Sequence, residues 1–252
     1  MDFNNKIILI TGASSGIGKE LAVQLAKHNC TLILLARRTN LLNEIVNQLK
    51  SGVANLESYT CDVANPPNVY DVFSEVKRKY GKIDIAILNA AVGIKMWVKD
   101  FNSQKGQQAF DINMFGVTQC VENLLPDFIK RREGMIVGVS SLAESRGWKG
   151  NGFYSASKAA LSILLESLRV ELKSYNIKVI TVKPGFVRTP MTENNKFPMP
   201  FLMNVEKAAR IIIRGIKKEK KVIQFPLPTV IGSKVLRIVP NFLFDYLSNK
   251  NL

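Results

Sequence analysis

An α/β fold with a doubly wound parallel sheet in a single domain is what this sequence predicts, on three observations. Short apolar runs alternate with helical patterns along the whole chain, at 6–10, 31–35, 56–60, 83–88, 135–139, 177–183 and 221–224. Strands that are apolar along their length are those buried on both faces, with helices crossing over between them. The first run passes directly into a glycine-rich turn and then a helix, the context in which a strand–turn–helix unit holds a dinucleotide. At 252 residues the chain has the size of one large α/β domain, and no repeat, low-complexity tract or linker divides it.

The first unit begins with Lys6-Ile7-Ile8-Leu9-Ile10, continues through Thr11-Gly12-Ala13-Ser14-Ser15-Gly16-Ile17-Gly18, and becomes helical through Leu21, Leu25 and Ala26. Glycines let a backbone turn sharply and approach a pyrophosphate, while the helix start offers free N–H groups and a positive dipole end. Gly12, Ser14, Ser15, Gly16, Ile17 and Gly18 are therefore the expected cofactor contacts. Spacing excludes a nucleoside-triphosphate phosphate loop, because Ile17 stands at its second glycine and Glu20 follows Lys19. It also excludes G-x-G-x-x-G, since three residues separate Gly12 from Gly16. What remains is T-G-x-x-x-G-I-G; an ordinary tight turn accounts for one of these glycines but not easily for three.

The end of the second strand, 31–35, speaks to the choice of dinucleotide. Sites that hold the ribose 2′-hydroxyl of NAD place a carboxylate about 20 residues beyond the glycine turn. Ala36 stands there, and Arg37-Arg38 follow. A carboxylate repels a 2′-phosphate, whereas a guanidinium grips it with charge and paired hydrogen bonds. NADP(H) is expected over NAD(H), against the alternative that both arginines are surface charges of a basic protein.

Tyr154-Ser155-Ala156-Ser157-Lys158 opens a strongly helical run with Leu161, Leu164, Leu165, Leu168 and Leu172 at helical spacing. Residues four apart share a helix face, so the Tyr154 phenol and the Lys158 ammonium lie one turn from each other. A free tyrosine ionises near ~10. A neighbouring cation favours the phenolate, so Lys158 is expected to bring Tyr154 toward the neutral range. The alternative is an exposed pair that packs its stems.

T-G-x-x-x-G-I-G together with Y-x-x-x-K resembles the short-chain dehydrogenase/reductase family, over roughly residues 5 to 225 and in order. The resemblance implies a Rossmann-like fold and carbonyl–alcohol interconversion by hydride transfer, with Tyr154 as general acid/base. It implies that Lys158 tunes Tyr154 and binds the nicotinamide ribose, that Ser141 positions the substrate oxygen, and that Asn113 holds a water toward Lys158. Asp62, followed by Val63, stands where the family holds the adenine. Asn89-Ala90-Ala91 takes the place of the family's N-N-A-G, with Leu88 and Ala91 in place of the outer Asn and Gly. Pro184-Gly185 with Thr189 matches P-G-x-x-x-T, and Val187 would border the nicotinamide carboxamide with Thr189. Each position also has a plainer reading: Asn113 on a solvated helix side, Ser141 or Asp62 as turn caps, Pro184-Gly185 as loop punctuation. The family further suggests a homodimer or homotetramer through helices around 105–130 and 152–174.

Residues 1–225 read as the dinucleotide-binding catalytic part, including a substrate loop at 186–204, and 226–252 as a C-terminal extension of the same domain. The loop carries Met191, Phe197, Met199, Phe201, Leu202 and Met203. These suit an adaptable apolar pocket, and packing of the loop onto the core explains them equally. In the extension, Val230, Ile231, Val235, Ile238 and Val239 form an apolar stripe beside Lys234 and Arg237; Pro240 interrupts, and Phe242, Leu243, Phe244, Tyr246 and Leu247 follow. Such a segment can lie on a membrane, cap the site or pack on a neighbouring subunit, with packing preferred.

The net charge of +15 attracts anions such as NADPH and acidic surfaces, but no nucleic-acid motif accompanies it. Cys30, Cys61 and Cys120 are far apart and read as reduced buried thiols of a cytoplasmic protein, and His28 as structural. No metal is expected. Neither a leader nor a membrane span is expected, because 6–10 is too short and runs into the glycine turn. The expectation is an NADP(H)-dependent oxidoreductase acting on an apolar small molecule. The rivals are a non-catalytic NADP-binding sensor or scaffold and a basic membrane-surface protein.

Overall fold

The computed structural model describes residues 1–50, 52–193, 195 and 197–250. Seven strands form one all-parallel sheet in the order β3-β2-β1-β4-β5-β6-β7. They are β1 Ile7–Thr11, β2 Thr31–Ala36, β3 Asn55–Thr60, β4 Ile85–Leu88, β5 Gly134–Val139, β6 Ile177–Pro184 and β7 Val222–Phe225. The helices are α1 Gly16–Leu25, α2 Thr39–Leu49, α3 Pro66–Tyr80, α4 Ser103–Phe110, α5 Gly116–Arg131, α6 Gly152–Glu171, α7 Pro190–Glu193, α8 Val205–Lys217, α9 Leu227–Ile238 and α10 Asn241–Lys250.

The sheet is apolar on both faces because alternate strand residues feed opposite layers. Ile8 and Ile10 of β1 join Leu32 and Leu34 in one cluster with Leu21, Leu25, Ala208 and Ile212 of α1 and α8. Leu9 and Ile33 face the other way, toward Val72, Phe73, Leu124, Phe128 and Leu161 of α3, α5 and α6. Strand order reverses direction between β1 and β4, so the connections leaving these strands diverge and open a crevice at their carboxyl ends.

Two local features differ from the sequence reading. The fourth strand begins at Ile85 rather than at 83, because Asp84 turns its carboxylate back to accept the Ile7 amide at 2.9 Å. The long helical pattern around 105–130 is not one helix: α4 and α5 are joined by a π-helical turn, Asp111–Phe115, which widens the helix at Asn113. Such turns recur at functional sites because they reorient one side chain within a helix.

The C-terminal extension packs on its own chain. Arg146 donates to Val239 O at 3.3 Å and to Asn241 Oδ1 at 3.2 Å, and its guanidinium lies 4.1 Å from the Phe244 ring centroid. Trp148 meets Phe244 edge-on at 5.4 Å. Of the residues named for this stretch, the Leu247 side chain lies outside the described set, as do residues 251–252. The three cysteines are buried and free, and burial pushes the Cys30 and Cys61 thiols each up to about 11. Among the described residues no cluster is suited to a metal ion, and no helix is long and apolar enough to cross a membrane.

Candidate active site

The glycine turn is built for close backbone approach. Gly12 and Gly16 adopt φ of 67° and 55°, the left-handed region where a side chain is strained. A Cβ at Gly12 would stand 2.8 Å from Ala90 Cα, and one at Gly18 would stand 2.3 Å from Gly12 O. Asn89 locks this contact from the end of β4. Its Nδ2 donates to Thr11 O at 3.2 Å and Gly12 O at 3.3 Å, while Thr11 Oγ1 accepts the amides of Asn89 and Ala90 at 3.0 and 3.1 Å. Ser15 precedes α1 without capping it through its side chain, so the first-turn amides keep no side-chain acceptor there.

Arg38 reaches across to this turn, donating to Ser14 Oγ at 2.9 Å and Ser15 Oγ at 2.7 Å. Arg37 is half exposed, with its Nη1 4.0 Å from Asp62 Oδ2. Asp62 acts as a turn residue, its Oδ1 accepting the Ala64 amide at 3.1 Å. Val63, between β3 and α3, is buried against the start of α5, where a Cβ on Gly116 would meet its Cγ2 at 2.7 Å. Ile17 packs against the core behind the turn.

From the other side of the crevice comes the loop after β6. Gly185 donates to Phe225 O at 2.7 Å, Val187 is buried and bridges Met203, and Thr189 lies over the glycine turn, with its Cγ2 3.2 Å from a Cβ built on Gly16. The loop is divided in its packing: Met203 is buried, whereas Met191, Phe197 and Phe201 are exposed. Phe197 lies 5.9 Å from Phe186 and beneath Lys95 at 5.0 Å.

Between these walls sit the four residues expected to be catalytic. Asn113 is 0% exposed, so it does not face solvent from its helix. Its Oδ1 accepts the Val92 amide at 2.8 Å, and its Nδ2 donates to Val92 O and to Ser157 Oγ, each at 3.0 Å. Ser157 Oγ in turn donates to Tyr154 O at 2.8 Å. Ser141 follows β5, where its Oγ accepts the Ala143 amide at 3.1 Å and lies near enough to the Tyr154 phenol to favour its ionised form. Lys158 is buried, its Nζ donating to Val139 O at 2.8 Å and lying 6.0 Å from the Tyr154 ring centroid.

The electrostatics correct one expectation. Burial pushes the Tyr154 phenol above its usual value, opposed only by the Ser141 hydrogen bond. The net shift of Tyr154 is upward, opposite to the expectation, and Lys158 is itself desolvated: burial pulls it down to about 7, with Glu144 acting in the opposite sense. Tyr154 is thus held as a neutral proton donor, and Lys158 sits where small changes decide its charge.

A group that the sequence reading missed surrounds Glu144. The buried Ser140 donates to Lys158 O at 2.8 Å or to Glu144 Oε2 at 2.9 Å, and Lys183 donates to Glu144 Oε1 at 2.6 Å. Glu144 lies in the turn Leu142–Ser145 and matches no motif, so its burial was legible only in three dimensions.

A short chain dehydrogenase family model matches residues 6–198. An uncharacterized oxidoreductase of Myxococcus xanthus is 33% identical over 244 residues, 97% of this chain and 96% of that protein. A short chain dehydrogenase/reductase from Burkholderia phymatum, solved with NAD, superposes with a TM-score of 0.85 at 21% identity, covering 93% of each chain. One from Sphingobium yanoikuyae, solved with NADPH, gives 0.81 at 24% identity, covering 94% of this chain and 97% of that one. The family match over residues 6–198 and the Myxococcus relative show that this chain is a member of the short-chain dehydrogenase family.

Proposed function

We propose that the protein is an NADP(H)-dependent oxidoreductase that interconverts a carbonyl and an alcohol on an apolar small molecule. The observation that supports this reading best is the grouping of Ser141, Tyr154 and Lys158, a phenol held neutral by burial with a serine hydroxyl and a buried lysine beside it. A redox sensor or scaffold needs the glycine turn but not this set.

The cradle fits a dinucleotide: Gly12 and Gly18 leave no room for a Cβ, the start of α1 offers amides, and Arg38 already bridges two hydroxyls beside them. Gly12 to Gly18 would hold the pyrophosphate, Arg37 and Arg38 a 2′-phosphate, and Asp62 with Val63 the adenine. Asn89, Ala90, Pro184, Gly185, Val187, Thr189, Tyr154 and Lys158 would border the nicotinamide half. When bound, the cofactor supplies or accepts the hydride.

In the reductive direction Tyr154 gives its phenolic proton to the substrate oxygen, which Ser141 aligns by hydrogen bonding. General acid catalysis of this kind contributes ~10²–10⁴-fold. Lys158, as a cation, stabilises the phenolate left behind. Both amide protons of Asn113 are already taken, so a water serving Lys158 from here bonds to an oxygen of Asn113. Exposed Met191, Phe197 and Phe201 leave the 186–204 loop with apolar surface to offer a substrate. Tyr154→Phe is expected to lower carbonyl reduction by ~10²-fold or more while NADPH affinity, read by nicotinamide fluorescence, stays within a few-fold. Retained turnover would sink the assignment.

Residues 1–225 then form the catalytic part, with 226–252 as an extension that braces the turn after β5. A homo-oligomer joined through α5 and α6 is favoured by exposed Ile129, Ile163 and Val170 on those helices. A monomer in analytical ultracentrifugation would remove it. We place the protein in the cytoplasm, with peripheral contact to anionic membrane favoured by the outward face of α9. That face exposes Leu227, Ile231, Val235 and Ile238 beside Lys234, and a cationic surface is complementary to lipid phosphates rather than to a second copy of itself.

A further inference from the structure

Four elements send polar side chains to one carboxylate. The Glu144 side chain is only 4% exposed. Its Oε2 accepts from Ser140 Oγ at 2.9 Å and, in a short contact, from Ser162 Oγ. Its Oε1 accepts from Lys183 Nζ at 2.6 Å and from Arg237 Nη2 at 3.5 Å. These partners come from the segment after β5, from α6, from β6 and from α9.

Three of these partners adjoin the site or the extension. Ser140 precedes Ser141, Lys183 precedes Pro184-Gly185, and Arg237 belongs to the extension. Ser140 has one proton for two acceptors, the Glu144 carboxylate and the Lys158 carbonyl at 2.8 Å, and it lies 3.0 Å from Ser162 Oγ. The carboxylate and the backbone of the catalytic lysine are therefore joined through one hydroxyl.

A buried carboxylate is tolerated only when paired and hydrogen-bonded. Here one anion faces three cations: Lys183, Arg237 and Lys158, whose other titratable neighbour is Tyr154 on its own helix. We propose that Glu144 is a positioning residue for the catalytic set. Its carboxylate fixes the Ser140–Ser141 corner, the strand end at Lys183 and helix α9 to one another, and it keeps Lys158 a cation. The proposal rests on the reading of Tyr154 and Lys158 as the catalytic pair, and it ties the extension to that pair through Arg237.

The test needs no nucleotide, so a failure of NADP(H) binding and a failure of this proposal show separately. Protein carrying ¹³C at lysine Cε is titrated by NMR, and the Lys158 resonance is identified by its loss in Lys158→Met. The wild type is expected to titrate at about 7. In Glu144→Gln, which keeps the shape but not the charge, the midpoint is expected to fall by on the order of one pH unit. Glu144→Asp, which keeps the charge, is expected to restore most of it. A purely structural Glu144 would leave the midpoint in place. Should Glu144→Gln fail to fold with Lys183 unpaired, Glu144→Gln/Lys183→Met removes the anion together with that cation and is again expected to lower the midpoint. An unmoved midpoint in whichever variant folds overturns the proposal.

Discussion

Burial acts in opposite senses on the two residues that dominate the site: it keeps the Tyr154 phenol protonated and pulls the Lys158 ammonium down to about 7. An unfolded lysine holds its proton up to about 10.5, so between these values the unfolded chain binds a proton that the folded one does not. Stability therefore rises with pH across that window, and the cost of burying the charged lysine is fully present below about 7. Lys158→Met is expected to stabilise the fold most below that value, with the gain shrinking toward pH 10, as read by urea unfolding at several pH values. A pH-independent difference would contradict the assignment. Arg38 offers a second test, since its bonds to Ser14 and Ser15 hold it beside the start of α1. Arg38→Ala is expected to weaken NADPH binding about ten- to a hundredfold, the worth of a charged hydrogen bond, and NADH binding little. Equal loss for both nucleotides would count against a 2′-phosphate role. At this scale spacing pointed to the Tyr154–Lys158 pair, and the family resemblance pointed to Ser141 and Asn113. The sequence misread the direction of the Tyr154 shift, because desolvation depends on neighbours far away in the chain.

The strand–turn–helix unit was legible because its signals are local. Three glycines, an apolar strand and a helical pattern lie within about twenty consecutive residues, and each has a steric cause in the structure. Gly18→Ala would set a methyl 2.3 Å from Gly12 O. It is expected to cost ~1–3 kcal/mol of stability, read by denaturant unfolding, and to abolish nucleotide binding. Normal binding by this variant would mean that the turn relaxes and is not a rigid cradle. The π-helical turn at Asn113 was not legible, since Asp111–Phe115 has no distinctive composition. It is stabilised instead by the bonds of Asn113 to Val92 and Ser157, far off in sequence. The partners of α9 and α10 were hidden for the same reason: Glu144 meets Arg237 of α9, Arg146 and Trp148 meet Phe244 of α10, and nothing in the pattern of 226–252 points to them.

For the whole molecule, alternation of apolar strands and helices was enough to predict a parallel, doubly wound sheet, and strand order then places the glycine turn, Asn89, Ser141 and the 184–189 loop around one crevice. The net charge of +15 and the outward apolar face of α9 belong to this scale as well. Flotation with anionic vesicles is expected to carry the protein upward, and Ile231→Asp/Ile238→Asp to leave it in the dense fraction. Equal behaviour of both would remove the membrane reading. The central claim, an NADP(H)-dependent carbonyl reductase, is tested most directly by fluorescence titration of the purified protein with NADPH and NADH, followed by a panel of apolar ketones and aldehydes read at the nicotinamide absorbance. The expected result is NADPH binding at least about tenfold tighter than NADH, with turnover of some panel members that Tyr154→Phe loses. Binding of neither nucleotide, or a preference for NADH, would contradict it.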